Sequence, residues 1–216
     1  MRKKSTNPTF KEEEKLWEKG FNYVIGLDEV GRGAFAGPVA VASVVFPKKI
    51  PQVLAREIND SKLLSHKKRL ILSPLIKKHA IAYSICLEGV KTINKHGIGY
   101  ATKKAFRKSI AETNSKLLKN NNKNNTFILI DGFHIKYVRD FGIKNQKAII
   151  KGDRVSLSIA AASIIAKVHR DLLMETLGKK YPRYKWHENK GYGTRKHREA
   201  IKKYGLCLFH RSSFKI

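Results

Sequence analysis

The chain has 216 residues, enough for one domain with a substantial core, and length alone requires no second. Lys and Arg number 45 against 17 Asp and Glu, a net charge of +28. That is more than solubility needs, and it points to a polyanionic partner: nucleic acid first, an anionic membrane surface second, with a lysine-rich proteome as the compositional alternative.

Two isolated cysteines, Cys86 and Cys207, supply neither a disulfide framework nor a Cys/His metal motif. The charged opening MRKKSTNPTFKEEEKLW has no apolar core of a secretory signal, and no apolar run is long enough to span a bilayer. A soluble, cytoplasmic protein without membrane association is expected.

Residues 1 to 21 read as a polar lead-in whose short helix stops at Gly20, with one domain from 22 to 216. Tyr23 to Leu27 is the first predicted strand and Val39 to Phe46 the second, joined through a Gly37-Pro38 turn. HKKRLILSPLIKKH has helical spacing, with Ser65 as N-cap and a break at Pro74. AIAYSICL (80 to 87) is a third strand, and residues 97 to 118 carry a helical apolar stripe through Ala101, Ala105, Phe106 and Ile110. The KNNNKNN tract (119 to 125) reads as a surface loop, because the strand TFILI follows directly. Lys147 to Ile150 is a further short strand. Residues 156 to 177 form the longest helix, whose alanine-rich side suits close packing on a sheet. Three strands in series, then helices and strands in alternation, predict an α/β layered domain with a mixed sheet.

Four acids each sit where a short apolar strand ends. Asp28 and Glu29 close YVIGL, Asp131 closes FILI, and Asp153 closes AIIKG. Acids at strand ends are common turn residues. Four of them in a chain this poor in acids point instead to a cluster that binds hard cations, Mg²⁺ or Mn²⁺. Two such ions about 4 Å apart can hold a phosphate, activate water and stabilise a leaving alkoxide. Because consecutive strand residues face opposite ways, the chain is expected to leave the sheet at Glu29, where the following glycines allow it.

DEVGRG followed by AGPV, NDSKLLS, INKHGI, LIDG, KGD, SIAAASIIAKVHRD, KGYGT and a final HRSSF resembles the type 2 ribonuclease H family, specifically bacterial ribonuclease HII. The resemblance runs from about residue 23 onward. It implies the ribonuclease H fold, with a mixed central sheet flanked by helices and a helical C-terminal region. It also implies a metal-dependent endoribonuclease acting on RNA/DNA hybrids and on single ribonucleotides embedded in duplex DNA. Asp28, Glu29, Asp131 and Asp153 match the family's metal-binding acids. Asp171 rivals Asp153, although an ion pair with Lys167 four residues earlier accounts for it. Ala34-Phe35 stands where the family usually has Pro-Leu, which removes no functional group. The sister type, ribonuclease HIII, has a large N-terminal extension and a different fourth acid, and this chain matches neither.

The Gly31-Arg32-Gly33 turn lets backbone approach a ligand closely, and a 2'-hydroxyl is what separates RNA from DNA at a given site. By resemblance, Tyr192 completes the recognition by stacking on the neighbouring sugar, and Lys62 contacts a phosphate. The glycines on either side of Tyr192 suggest exposure; a strand-exit turn and a core tyrosine are the plain alternatives. Ser163 and Lys167 share a helix face that either meets DNA or is an ordinary helix surface. His197, His210 and Arg211 read as structural or solvated, Trp17 and Trp186 as packing residues. The expectation is a monomer that cuts 5' to a ribonucleotide, leaving 3'-hydroxyl and 5'-phosphate ends. A non-catalytic basic nucleic-acid-binding protein is the alternative, and the four acids argue against it.

Overall fold

The two apolar runs flanking the acid-rich turn, β1 (Tyr23–Val30) and β2 (Val39–Val45), pair antiparallel, and β2 pairs likewise with β3 (Ala82–Glu88). On its other side β1 runs parallel to β4 (Thr126–Asp131), and β4 to β5 (Gln146–Ile149). The computed structural model describes residues 7–119 and 125–215, and its sheet has the order β3-β2-β1-β4-β5. The expected mixed sheet is therefore present. Most of the KNNNKNN tract lies outside the described residues.

The helices are α1 (Lys11–Glu18), α2 (Gln52–Glu57), α3 (His66–His79), α4 (Val90–Leu118), α5 (Leu157–Lys180), α6 (Trp186–Asn189) and α7 (Arg195–Tyr204). None among the described residues is long and apolar enough to cross a membrane. Strand alternation divides the core between two faces. Ala42 and Val44 meet α3 and α5, whereas Ile25, Leu27, Val41 and Val45 meet Phe106 and Ile110 of α4. The alanine-rich side of α5 does lie close to the sheet: a Cβ on Gly26 would meet the Ser158 backbone carbon at 2.3 Å. A third cluster, built around Met174, Tyr184 and Trp186, seats the C-terminal helices against the end of α5.

Three expectations need correction. Helix α3 continues through Pro74, because that residue is exposed and the Leu70 carbonyl it leaves unpaired can be met by water. The helix expected from 97 begins at Val90, with a break at Gly97 (φ 82°) where glycine alone turns the chain cheaply. Its first segment shows only Val90 and Ile93 to a periodicity search, too few to register. The chain also does not leave the sheet at Glu29: pairing with β2 continues to Val30 opposite Ala40. What ends at Leu27 is the pairing with β4, so among the described residues the last three of β1 have no strand partner on that side.

Candidate active site

That one-sided end of β1 creates the site. Asp28 points to the α5 side, within reach of Ser163, and Asp131 occupies the neighbouring position on β4, one beyond the last registered pair. Asp153 lies in a 3₁₀ turn (Gly152–Arg154) whose Gly152 amide donates to Asp131 Oδ1 at 2.6 Å, so the third and fourth acids are joined through backbone. Glu29 follows on the opposite side of the strand by alternation, yet it lines the same cleft as Asp28. The cleft measures about 400 Å³, and Asp28, Glu29, Gly31, Arg32, Ser61, Lys62, Ser163, Lys167 and Tyr192 line it. Asp131 and Asp153 stand outside its wall but close enough for their charges to act on Asp28.

Burial and mutual repulsion dominate the electrostatics. Asp28 is held well above the ordinary carboxylate range, first by burial, then by the charges of Glu29, Asp131 and Asp153. Glu29 is raised to about 7, chiefly by burial, with Arg32 acting against the shift. Asp153 is raised to about 6 by burial and then by Asp60 and Asp131. Among the described residues no three His, Cys, Asp or Glu side chains converge closely enough to hold an ion as they stand. The acids instead use local hydrogen bonds, such as that from the Glu29 amide to Asp28 Oδ1 at 2.7 Å. An all-oxygen donor set in which like charges hold Asp28, Glu29 and Asp153 above the ordinary range fits a hard divalent cation, which would relieve the repulsion.

Asp60 is the acid that the sequence reading missed. It is fully buried, its Oδ1 accepts the Lys62 amide at 2.9 Å, and its Oδ2 accepts Arg154 Nε and Nη2 at 3.0 and 2.9 Å. Burial works to raise its pKa, yet these hydrogen bonds keep it below the ordinary value. It holds the NDSK loop against the turn that carries Asp153. The Asp-x-Lys spacing of an Asx turn was the signal available. Lys62 itself is mostly exposed, with Nζ 4.0 Å from Asp153 Oδ2. Asp171 is buried and bound by Lys167 at 2.7 Å, with Arg69 3.8 Å away, so the expected ion pair is present. Ser163 and Lys167 share the cleft-facing side of α5, and Ser163 Oγ lies 2.9 Å from Ser61 Oγ.

The opposite wall carries Gly31-Arg32-Gly33 and Tyr192. A Cβ on Gly33 would meet nothing within 4 Å, so this glycine faces open space. Gly31 (φ 88°) is different: its missing side chain leaves room for Arg170, whose Nε would lie 2.0 Å from a Cβ. Gly191 and Gly193 likewise admit the Ala36 carbonyl and the Phe35 ring. Their small size serves packing beneath Tyr192, and the tyrosine ring is half-buried near Lys167 and Arg170. His197, His210 and Arg211 are all buried, hence structural and not solvated; Trp186 is also fully buried.

A family model described as ribonuclease HII matches residues 25–216. Ribonuclease HII of Caldanaerobacter subterraneus subsp. tengcongensis is 46% identical over 202 residues, 94% of this chain and 78% of that relative. The crystal structure of ribonuclease H2 from Pyrococcus horikoshii OT3 has a TM-score of 0.71 at 25% identity, covering 89% of this chain and 94% of that one. Bst-RNase HIII, crystallised in complex with Mn²⁺, shares the fold with a TM-score of 0.67 at 22% identity, covering 89% of this chain and 67% of that one.

Proposed function

The chain belongs to the ribonuclease HII family, and from that premise we propose how its site selects and cuts a phosphodiester. The protein is an endoribonuclease, a hydrolase that cleaves the RNA strand of RNA/DNA hybrids. Its finer preference is the bond 5' to a ribonucleotide, including a single one embedded in duplex DNA, leaving 3'-hydroxyl and 5'-phosphate ends. Asp28, Glu29, Asp131 and Asp153 would hold the divalent ions, Mg²⁺ or Mn²⁺, two during catalysis. When bound, such ions supply an activated water and stabilise the leaving oxygen.

The chain's own residues do the selecting. Gly31-Arg32-Gly33 offers backbone to the 2'-hydroxyl, and Tyr192 stacks on the adjoining sugar across the cleft. Lys62, exposed beside Asp153, meets the phosphate next to the reacting bond. Ser163 and Lys167 line the cleft between these groups, and the remaining lysines contact phosphates without reading sequence. The protein works as a soluble cytoplasmic monomer on nucleic acid.

One observation carries this reading. Buried Asp28 and half-buried Glu29, which repel one another, share a single cleft with a glycine-rich turn and a half-buried tyrosine. The test is cleavage of duplex DNA bearing one ribonucleotide, beside all-DNA and long-hybrid controls, with divalent cation and with chelator. Selective, cation-dependent cutting 5' to the ribonucleotide is expected. Equal cutting of all-DNA duplex, or cutting that survives chelation, overturns it. Binding without cutting favours the non-catalytic alternative.

A further inference from the structure

Two arginines, Arg170 and Arg211, are fully buried behind the ribose-facing wall, and neither has a carboxylate within 4.0 Å among the described residues. Their hydrogen bonds all go to backbone carbonyls, while Arg170 also lies over the Tyr192 ring and Arg211 over that of Phe214. Arg211 donates through Nε to the carbonyl of Gly37 at 3.0 Å, through Nη1 to Arg32 at 2.8 Å and through Nη2 to Gly31 at 2.8 Å. Arg170 donates to the carbonyls of Pro38 at 2.9 Å, Ala36 at 3.1 Å and Lys190 at 2.9 Å. Burying two like charges side by side is costly, and burial indeed pulls both groups toward their neutral forms. A rigid planar fork returns something no apolar residue can: it fixes the orientation of several peptide units at once.

That orientation has a consequence on the cleft side. In a trans peptide the C=O and N–H vectors are antiparallel. With the Gly31 and Arg32 carbonyls drawn inward by Arg211, the amides of Arg32 and Gly33 must point outward. Neither amide has an acceptor in the protein among the described residues. Arg170 couples this turn to the other half of the wall: it fills the space beside Gly31 and holds the Lys190 carbonyl two residues before Tyr192. Amides of Phe35 and Ala36 close the same junction by donating to the Gly191 carbonyl at 2.8 and 3.2 Å.

We propose that Arg170 and Arg211 are positioning residues for ribose recognition: they aim the Arg32 and Gly33 amides into the cleft as paired donors for a 2'-hydroxyl, and lock the Tyr192 loop to the same frame. This rests on the ribose-reading role proposed above for the turn and Tyr192. No reorganisation is then needed when a ribonucleotide arrives, and a deoxyribose leaves both donors unmet.

The test has two arms on the full chain. In the wild-type protein, without divalent cation so that no cutting occurs, NMR follows the Arg32 and Gly33 amides. They should shift and gain protection from exchange with a duplex carrying one ribonucleotide, and not with the same duplex in all-DNA form. In the second arm Arg211→Lys and Arg170→Lys keep the charge and lose the fork. Each should lose about tenfold or more in kcat/KM at a single ribonucleotide, while affinity for all-DNA duplex stays within about twofold. Wild-type rates in both variants, a proportional loss of all-DNA affinity, or unresponsive amides would overturn the proposal. Should the lysine variants fail to fold, the wild-type amide response decides alone. Failure of the underlying reading shows separately, as wild-type protein that cuts all-DNA duplex as readily as the ribonucleotide duplex.

Discussion

Nε2 of His210 lies 3.2 Å from Nε2 of His197, and a single proton lies between the two rings. The surrounding bonds fix where it sits. The Cys207 amide donates to His210 Nδ1 at 2.9 Å, so His210 carries its proton on Nε2 and donates it to His197. His197 also accepts Trp186 Nε1 at 3.0 Å, and its own proton on Nδ1 goes to the Tyr192 carbonyl at 2.9 Å.

A second proton on this pair would set N–H against N–H among buried rings. Burial, then the neighbouring His197, accordingly hold His210 down to about 4. A histidine with a depressed folded pKa contributes stability above its unfolded pKa of about 6.5 and loses it as pH falls toward the folded value. Unfolding free energy should therefore drop between about pH 6.5 and 4, on the order of 2–3 kcal/mol from this group. Chemical denaturation of wild type and His210→Gln checks it. The variant should be less stable at pH 7.5, and the gap should narrow on acidification. A constant gap across that window would rule out the linkage.

Asp28→Asn and Asp131→Asn should each abolish measurable cleavage while leaving the fold intact, because a neutral amide is a poor ligand for a hard cation. Relief of repulsion also favours the fold: Asp28 is buried among like charges, so Asp28→Asn should melt no lower than wild type in the absence of divalent cation. Affinity for duplex should hold or rise as negative charge leaves the cleft. Retained activity in either variant would remove that residue from the metal site.

Glu13 shows how far the lead-in is part of the domain. Its Oε1 accepts Ser156 Oγ at 2.6 Å and the Ser158 amide at 2.9 Å, tying α1 to the first turn of α5. Glu13→Ala would leave that buried amide unmet and should cost about 1–3 kcal/mol of stability, whereas Glu13→Gln keeps an acceptor and should cost less. Thermal melts decide; an Ala variant as stable as wild type would make α1 a mere appendage.

Affinity for duplex should fall steeply with salt, since each phosphate neutralised by the lysine-rich surface releases counterions. Selectivity for the ribonucleotide should change much less, because hydrogen bonds to the 2'-hydroxyl do not depend on the counterion atmosphere. A flat salt titration would make the +28 charge compositional and not a binding surface.

The strand-ending acids and the order of the motifs were legible because each is local: an apolar run, then a carboxylate. The sheet followed from the same runs. What the sequence hid was long-range. Nothing adjacent to Arg211 signals that it grips carbonyls some 180 positions earlier. Glu13 looked like one more charge on a polar helix because its partners lie more than 140 residues away. Gly31 suggests close approach to a ligand and Gly191 an exposed Tyr192, yet the space beside them belongs to Arg170 and the Ala36 carbonyl. A glycine announces close approach; it does not say from which side.

Tyr192 tests the ribose reading most directly. Its loop is held from behind by the Lys190 carbonyl bound to Arg170 and by its own carbonyl bound to His197, so Tyr192→Ala should remove the ring without releasing the backbone. Stacking on nucleic-acid platforms is worth roughly 1–3 kcal/mol per base, and a sugar face should give the lower end. A rate loss of about tenfold or more is therefore expected at a single ribonucleotide. A long hybrid offers many registers with a 2'-hydroxyl in each, so productive placements survive a damaged sensor and the loss there should be smaller. Tyr192→Phe, which keeps the stacking face, should fall between Ala and wild type. Equal losses on both substrates would assign Tyr192 to general binding and move ribose selection to the Arg32 and Gly33 amides alone.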